Sequence, residues 1–435
     1  MRKSMGSLAL LGLVWGPAPA ADVNSLVGLY KQIHAHPELP HQEVNTSALV
    51  AAELRKAGYK VTERVGKYED GSQAYGVVGI LENGPGPRLL VRSELDALPV
   101  TEETGVDYAS HVKTRNAAGQ EVGVMHACGH DVHATTLVGT ARAMAASRDK
   151  WHGTLMIVAQ PSEETADGAR AMLHDRLYER FGRPDFALAL HDSSARAAGT
   201  VGLTSGYSQA GVISIDVTMR GIGAHGAAPQ DAKDPVVMAG QFITQLQTIV
   251  SREQDPRDPA VISIGAIHGG AKRNVIPYEV KLELTARVFS DKAYKNVVDG
   301  VKRIADGVAI AAGVPQDRMP IVTVLENETL PAAYNNPGLN ARVKTALTAA
   351  LGAANVGDDE PVMFSEDFGL FGLPGRQIPV VMFSLGVADP AQLAQAQARG
   401  EALPGPHTSR FLPLPEPSLA TGVKAMTAAA TSLLQ

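Results

Sequence analysis

The chain of 435 residues has one cysteine, Cys128, so no internal disulfide is possible. It has no block of lysines or arginines, and its formal net charge is −6. That argues against nucleic acid and anionic lipid as main partners. No apolar run is long enough to span a bilayer, and no repeat or low-complexity segment stands out. What remains has the composition of a soluble globular protein, with length for two ordinary domains.

The first residues are distinctive. Arg2 and Lys3 precede the apolar run 8–15, and Ala18-Pro19-Ala20 supplies small residues at cleavage spacing. Residues 1–20 are expected to be a secretory signal peptide, cut after Ala20 or Ala21, with a retained anchor as the alternative. The mature protein is then secreted or periplasmic, where paired cysteines oxidise. A lone thiol there is either buried and inert or held by something, and metal ligation is one way to hold it as thiolate.

Apolar spacings of three and four predict a helix over 24–58, and another helix is expected over 131–147. Segments 75–81 and 88–91 read as strands about the turn "ENGPGP". "TLMIVAQ" (154–160) and "DFALAL" (185–190) are continuous apolar runs, as buried strands of a largely parallel sheet would be. From about residue 211 the pattern changes. Strands at 212–220, 260–268, 279–288 and 321–325 alternate with helices at 234–252 and 292–312. The order strand, helix, strand, strand, helix, strand is the split βαβ arrangement, with two helices on one face of four strands. It reads as an inserted domain, 210–326, between two halves of a first domain, 21–209 and 327–435. The first domain then resumes with a helix over 338–351, a strand over 378–386 and a last helix from residue 417.

Three polar clusters directly follow predicted strands: "RSELDALP" after "LLV", "QPSEET" after "LMIVA", and His191 after "DFALAL". Open α/β sheets bind ligands beyond the carboxyl ends of their strands, so the clusters read as one site. "MHACGHDVH" (125–133) adds Cys128 and His130 on either side of Gly129. Two residues apart on a helix they would diverge, but in a turning segment both can face one ion. A loop with a buried free cysteine is the plain alternative. Glu163-Glu164 is a pair of acids at the end of a strongly apolar strand, where solvated charge is less expected. Metal-assisted hydrolysis uses one carboxylate to bind the ion and another to take a proton from water.

The segments "RSELDALPVTEETG", "MHACGHDVHATTLVGTA", "QPSEETADGARAML", "LHDSS", "GIGAHGAAPQDAKDP", "IHGGAKRNVIP", "FSEDFGLF" and "GPHTSRF" occur in the order of a known family. From about His34 to Phe411 the chain resembles the dinuclear metallo-aminoacylase/carboxypeptidase family, in the branch of hippurate hydrolases and auxin-conjugate amidohydrolases. The resemblance implies a zinc-exopeptidase-like α/β/α catalytic domain with an inserted ferredoxin-like lid and dimerisation domain. Cys128, His130, Glu164, His191 and His407 match metal ligands, Glu163 the general base, and Asp96 the acid that orients the centre. His225 matches a histidine that reaches across a dimer interface to the oxyanion, and Asn274 and Arg287 match groups that hold the substrate's carbonyl or carboxylate. Glu366 lies in a loop that the family brings near the site.

The implied activity is metal-dependent hydrolysis of the amide bond of N-acyl amino acids or of short peptides with a free carboxylate. The implied cofactors are two divalent ions, zinc by ligand type, with manganese, nickel or cobalt fitting a mixed site. The implied partner is a second copy of the chain. The chain departs from the branch at Glu94, Thr165-Ala166-Asp167, Phe364 and Tyr278, none of them a matched ligand or base. His126 and His133 have no required place among five ligands and are expected to pack or to bind solvent, with support of the ligands from behind as the alternative. Asp131 is expected either to accept a proton from an imidazole or to cap a helix, and His34 and His36 to be structural. Two rival readings remain: a cysteine hydrolase with Cys128 as nucleophile, which leaves the acids and His191 and His407 without work, and a non-catalytic two-lobed binding protein.

Overall fold

The structure, a computed structural model, describes residues 23–435. The expected signal peptide lies outside the described residues. The largest element is an eight-stranded sheet, in spatial order Lys60–Lys67, Gln73–Asn83, Gly153–Gln160, Arg88–Glu94, Phe186–Ala197, Val380–Ala388, Val201–Leu203, Val356–Asp358. The four strands Gly153–Gln160, Arg88–Glu94, Phe186–Ala197 and Val380–Ala388 run parallel, and antiparallel pairs flank them.

Both faces of the parallel strands are buried, which explains their continuous apolar runs. Leu89, Val91, Leu155, Ile157, Leu188 and Leu190 point to one face, under the helices Val23–Ala35, Val44–Lys56, His130–Ala146 and Pro415–Leu433. Leu90, Met156, Val158, Ala187 and Ala189 point to the other, against Ala169, Met172, Phe368 and Phe371. The parallel direction brings the carboxyl ends of these strands to one edge of the sheet.

The second sheet has four antiparallel strands in the order Ala260–Gly269, Glu279–Val288, Gly211–Arg220, Ile321–Val324. It buries Ile213, Ile215, Val217 and Met219 in a core of its own with the helices Pro235–Thr248 and Asp291–Ala311. The chain's way out of the first sheet and its way back, Gly206–Gln209 and Ala333–Asn335, pair as a two-stranded ribbon.

One expectation fails in form. The single helix over 24–58 is two helices, Val23–Ala35 and Val44–Lys56. Pro37 and Pro40 lie between them, and a proline donates no backbone hydrogen bond and disfavours helical geometry in the residue before it.

Candidate active site

The turn between Cys128 and His130 is made by Gly129, in the left-handed region at φ 74°, and it opens the helix His130–Ala146. Cys128 Sγ lies 3.7 Å from His191 Nε2, His130 Nε2 lies 3.9 Å from Glu163 Oε2, and His407 Nε2 lies 3.4 Å from Glu164 Oε1. The ligand atoms of Cys128, His130 and His191 fall within 4.8 Å of one another, as do those of His130, Glu163 and Glu164, and those of Cys128, Glu164 and His407. The triples share members, so residues from separate stretches of sequence form one cluster.

Two of the candidate rings are already oriented. His130 Nδ1 is 2.8 Å from the Asp96 carbonyl oxygen, and His191 Nδ1 is 2.9 Å from that of Asp192. Each Nδ1–H donates there and leaves the Nε2 lone pair for an ion, as metal-binding imidazoles are arranged. His130 Nε2 and Glu164 Oε1 are buried with no hydrogen-bond partner. An unmet buried polar group costs about 1–3 kcal/mol, and a cation would satisfy both at once. Asp96, fully buried, accepts a hydrogen bond from the Glu164 backbone N–H at 2.9 Å as well as holding His130. His407 is more exposed, but its backbone N–H donates to the Ala127 carbonyl at 2.7 Å, which ties its loop to the Cys128 turn.

The electrostatics select for positive charge. Burial, then Glu164 and Glu163, push the Cys128 thiol well above its ordinary range. Burial, then Glu366 and Glu164, do the same to the Glu163 carboxyl. Burial pushes His130 down, but Asp96, Glu94 and Glu164 outweigh it and hold the ring at about 10. A thiol, three imidazoles and carboxylates in such a field are a donor set for divalent ions of the zinc type.

The loop that carries the two acids is clamped from behind. Glu43, fully buried, accepts from the Ser162 N–H at 2.8 Å and from its hydroxyl at 2.9 Å. Tyr68 Oη lies 2.6 Å from Ser162 Oγ, and His41 stacks on Tyr68 while its Nε2 meets Asp167 Oδ2 at 2.9 Å. Deeper still, Arg92 is buried among carboxylates. It bonds Glu366 at 2.8 Å, Asp367 at 2.6 Å and Glu94, and its Nε donates to Gln160 at 2.8 Å. Sequence reading passed over Arg92, Gln160 and Asp367. Arg92 is legible as a cation directly after the apolar run 89–91, at the strand end that forms the site.

His133 follows the alternative expectation, not the main one. It neither packs among apolar groups nor binds solvent: Nδ1 is 2.9 Å from Glu94 Oε2 and Nε2 is 3.0 Å from Asp192 Oδ1, all of it buried. His126 is buried too, with neither ring nitrogen hydrogen-bonded, and burial lowers it to about 4. Asp131 serves both expected roles: its Oδ2 is 2.6 Å from His34 Nδ1, whose Nε2 is 3.1 Å from Glu102, and its Oδ1 accepts from the Val132 N–H in the first turn of its helix at 2.8 Å.

Three matched residues stand apart, on the second sheet and its loops. His225 pairs with Val275 in a short ribbon and its Nδ1 accepts from the Ala227 N–H at 3.0 Å. Asn274 touches the same ribbon, its carbonyl accepting from Gly226 N–H at 2.8 Å. Arg287, half-buried, bonds Thr285 at 3.1 Å and the Ala286 carbonyl at 3.4 Å, and meets no acid among the described residues. Among the described residues, none of the three has a hydrogen bond or ion pair to a member of the cluster.

Comparison with known proteins identifies the family. Residues 90–431 match the model of Peptidase family M20/M25/M40. The hippurate hydrolase of Campylobacter jejuni is 34% identical over 342 residues, 78% of this chain and 83% of that protein. Thermostable carboxypeptidase 1 of Saccharolobus solfataricus is 31% identical over 389 residues, covering 89% and 90%. A Bacillus subtilis structure described as a dinuclear metal binding peptidase from the M20 family superposes with a TM-score of 0.74 at 25% identity, over 95% of this chain and 98% of that one. The chain belongs to peptidase family M20/M25/M40 and is a metal-dependent amidohydrolase.

Proposed function

We propose that the protein hydrolyses the amide bond of N-acyl amino acids, of the hippurate or N-acetyl kind, with short peptides bearing a free carboxylate as the second substrate class. The observation that carries the reading is the convergence of Cys128, His130, Glu164, His191 and His407 beside a further carboxylate, Glu163. The hippurate hydrolase and carboxypeptidase relatives are why both substrate classes are kept.

In this reading the five residues hold two divalent ions, zinc by ligand chemistry, with manganese, nickel or cobalt as alternatives. Bound there, such ions lower the pKa of a water toward neutrality and polarise the scissile carbonyl. Glu163 takes the proton of the attacking water at its carboxylate and passes it to the departing amine nitrogen, so that amide and water become carboxylate and amine. Asp96 keeps His130 and the Glu164 backbone in place through both steps.

Arg287 is a half-buried guanidinium with no acid of its own, and a substrate carboxylate would complete it. Asn274 holds the carbonyl beside it. His225 donates to the developing oxyanion of the other subunit in a homodimer, since in its own chain it faces only its ribbon. Residues 210–326 are then the lid and dimerisation domain and 21–209 with 327–435 the catalytic domain. Closure of the first over the second would exclude water. Residues 1–20 direct the chain to the periplasm or outside the cell.

The test is a panel of N-benzoyl, N-acetyl and dipeptide substrates on metal-replete protein, with and without chelator. Hydrolysis of the acyl amino acids that chelator abolishes and metal restores is expected. Turnover indifferent to chelator would turn the reading toward a thiol hydrolase, and no hydrolysis of any member toward a binding protein.

A further inference from the structure

His133 lies one helical turn after His130, and the proposed mechanism gives it no task. Its surroundings are specific. The imidazole sits between two carboxylates from two different strands: Glu94, at the end of Arg88–Glu94, and Asp192, the residue after His191. All three side chains are fully buried. The Asp192 backbone N–H also points at His133 Nε2, at 2.9 Å, so that nitrogen meets Asp192 as donor to its carboxylate when protonated and as acceptor of its N–H when not.

The Asp192 carboxylate has a second neighbour. It packs on Gly129, between Cys128 and His130, so closely that a Cβ at 129 would come within 2.5–2.7 Å of it. The same residue's carbonyl receives His191 Nδ1. Asp192 therefore touches the support of three ligands, and His133 is what holds its carboxylate. On its far side Glu94 continues to Arg92, which also binds Glu366. Glu94 and Asp192 cannot be approached by solvent, so each needs a donor from within the protein.

We propose that His133 is a positioning residue for the metal centre: clasped between Glu94 and Asp192, its ring locks the His191 strand to the Cys128–His130 turn at ligand distance. The proposal rests on the reading of Cys128, His130, Glu164, His191 and His407 as ligands. Groups that orient ligands from behind in this way are worth about 10–100-fold in metal affinity. Glutamine at 133 carries one amide donor end and serves one carboxylate, not both.

The experiment compares full-length wild type with His133→Gln, Asp192→Asn and Val138→Ala, a buried apolar control on the same helix. Zinc affinity is read by chelator competition, and the cobalt-substituted proteins give the visible and thiolate absorption bands. Metal-free melting temperature is recorded for each. His133→Gln is expected to lose about 10–100-fold in affinity and to shift the cobalt bands, while Val138→Ala lowers melting and leaves both unchanged. Asp192→Asn keeps the shape and a hydrogen-bond acceptor, so a smaller loss is expected, and the double variant should lose less than the sum of the singles. Wild-type affinity and spectrum in His133→Gln would overturn the proposal, as would an affinity loss equal to the control's at equal melting temperature. Three tightly bound ions per wild-type chain would also overturn it, making His133 itself a ligand. If His133→Gln does not fold, an unchanged Asp192→Asn decides against the proposal. A wild type that binds no ion would instead remove the reading of the ligand set.

Discussion

The two sheets carry matched residues in opposite states. At the end of the large sheet, the polar groups around the proposed metal centre are oriented and braced by further polar groups behind them. Asp96 holds His130, Glu43 holds Ser162, and Arg92 holds Glu366 and Asp367. On the small sheet and its loops, His225 is exposed on its two-stranded ribbon, and Arg287 on the four-stranded sheet is half-buried and meets no acid among the described residues. The difference fits the proposed reading, in which the groups that hold the ions and move the proton come from one chain, while the oxyanion donor and the substrate-holding groups come into place by closure, a second copy, or both.

The strongest test of that division is Glu163→Gln. It should cost about 10²–10⁴-fold in turnover with bound metal unchanged, because the amide keeps the shape and cannot take a proton. Metal loss, or turnover that survives, would take the base role from Glu163. Next, His225→Ala should lower kcat by about 10²–10³-fold with metal content intact. Mixing the two inactive variants sharpens the comparison. If His225 acts across a dimer, hybrids contain one site with a good Glu163 and a good His225, and activity returns; silence on mixing places His225 within its own chain or outside the reaction.

Arg287→Ala tests recognition of the free carboxylate. Losing a charge-assisted pair worth on the order of 2 kcal/mol should raise KM about thirtyfold for acyl amino acids. The corresponding amino-acid amides should be little affected. Equal effects on both would place the guanidinium elsewhere.

The smallest effect on turnover, and a clear one on stability, concerns His34 beneath the ligand turn. Burial lowers this imidazole, but its hydrogen bonds to Asp131 and Glu102 outweigh it and raise the ring to about 10 from 6.5. A folded-state value above the free one means stabilisation that is complete below pH 6.5 and disappears as pH rises toward 10. His34→Phe should therefore destabilise most near pH 6, by about 3–5 kcal/mol, the cost of breaking a buried pair. The gap to wild type should close at high pH in a series of melting temperatures. A gap independent of pH would mean that His34 is neutral in the fold.

Much of the centre was legible because its chemistry is written at strand ends. The apolar runs before Arg92, Gln160 and His191 mark parallel strands, and parallel strands deliver the residues at their carboxyl ends to one edge. The split βαβ order was equally open, since half-wet strands alternate and the helices keep a period near 3.6. The partners behind the ligands were not. His133 is three residues from His130, hence near it on the helix, but Glu94 and Asp192 flank its ring only through the pairing order of strands, which no local pattern carries. The last two strands at one end of the large sheet, Val201–Leu203 and Val356–Asp358, are too short to show a period. The break at Pro37 was visible and yielded to the apolar spacing around it.

The central claim is that five side chains, brought together from distant sequence, hold a pair of divalent ions beside Glu163. Anomalous diffraction at the zinc edge from metal-soaked crystals tests it most directly. The account predicts two peaks, bordered by Cys128, His130, Glu164, His191 and His407, with Glu163 facing the gap between them. A map with no peak at these residues, or with ions bound only elsewhere, would contradict it.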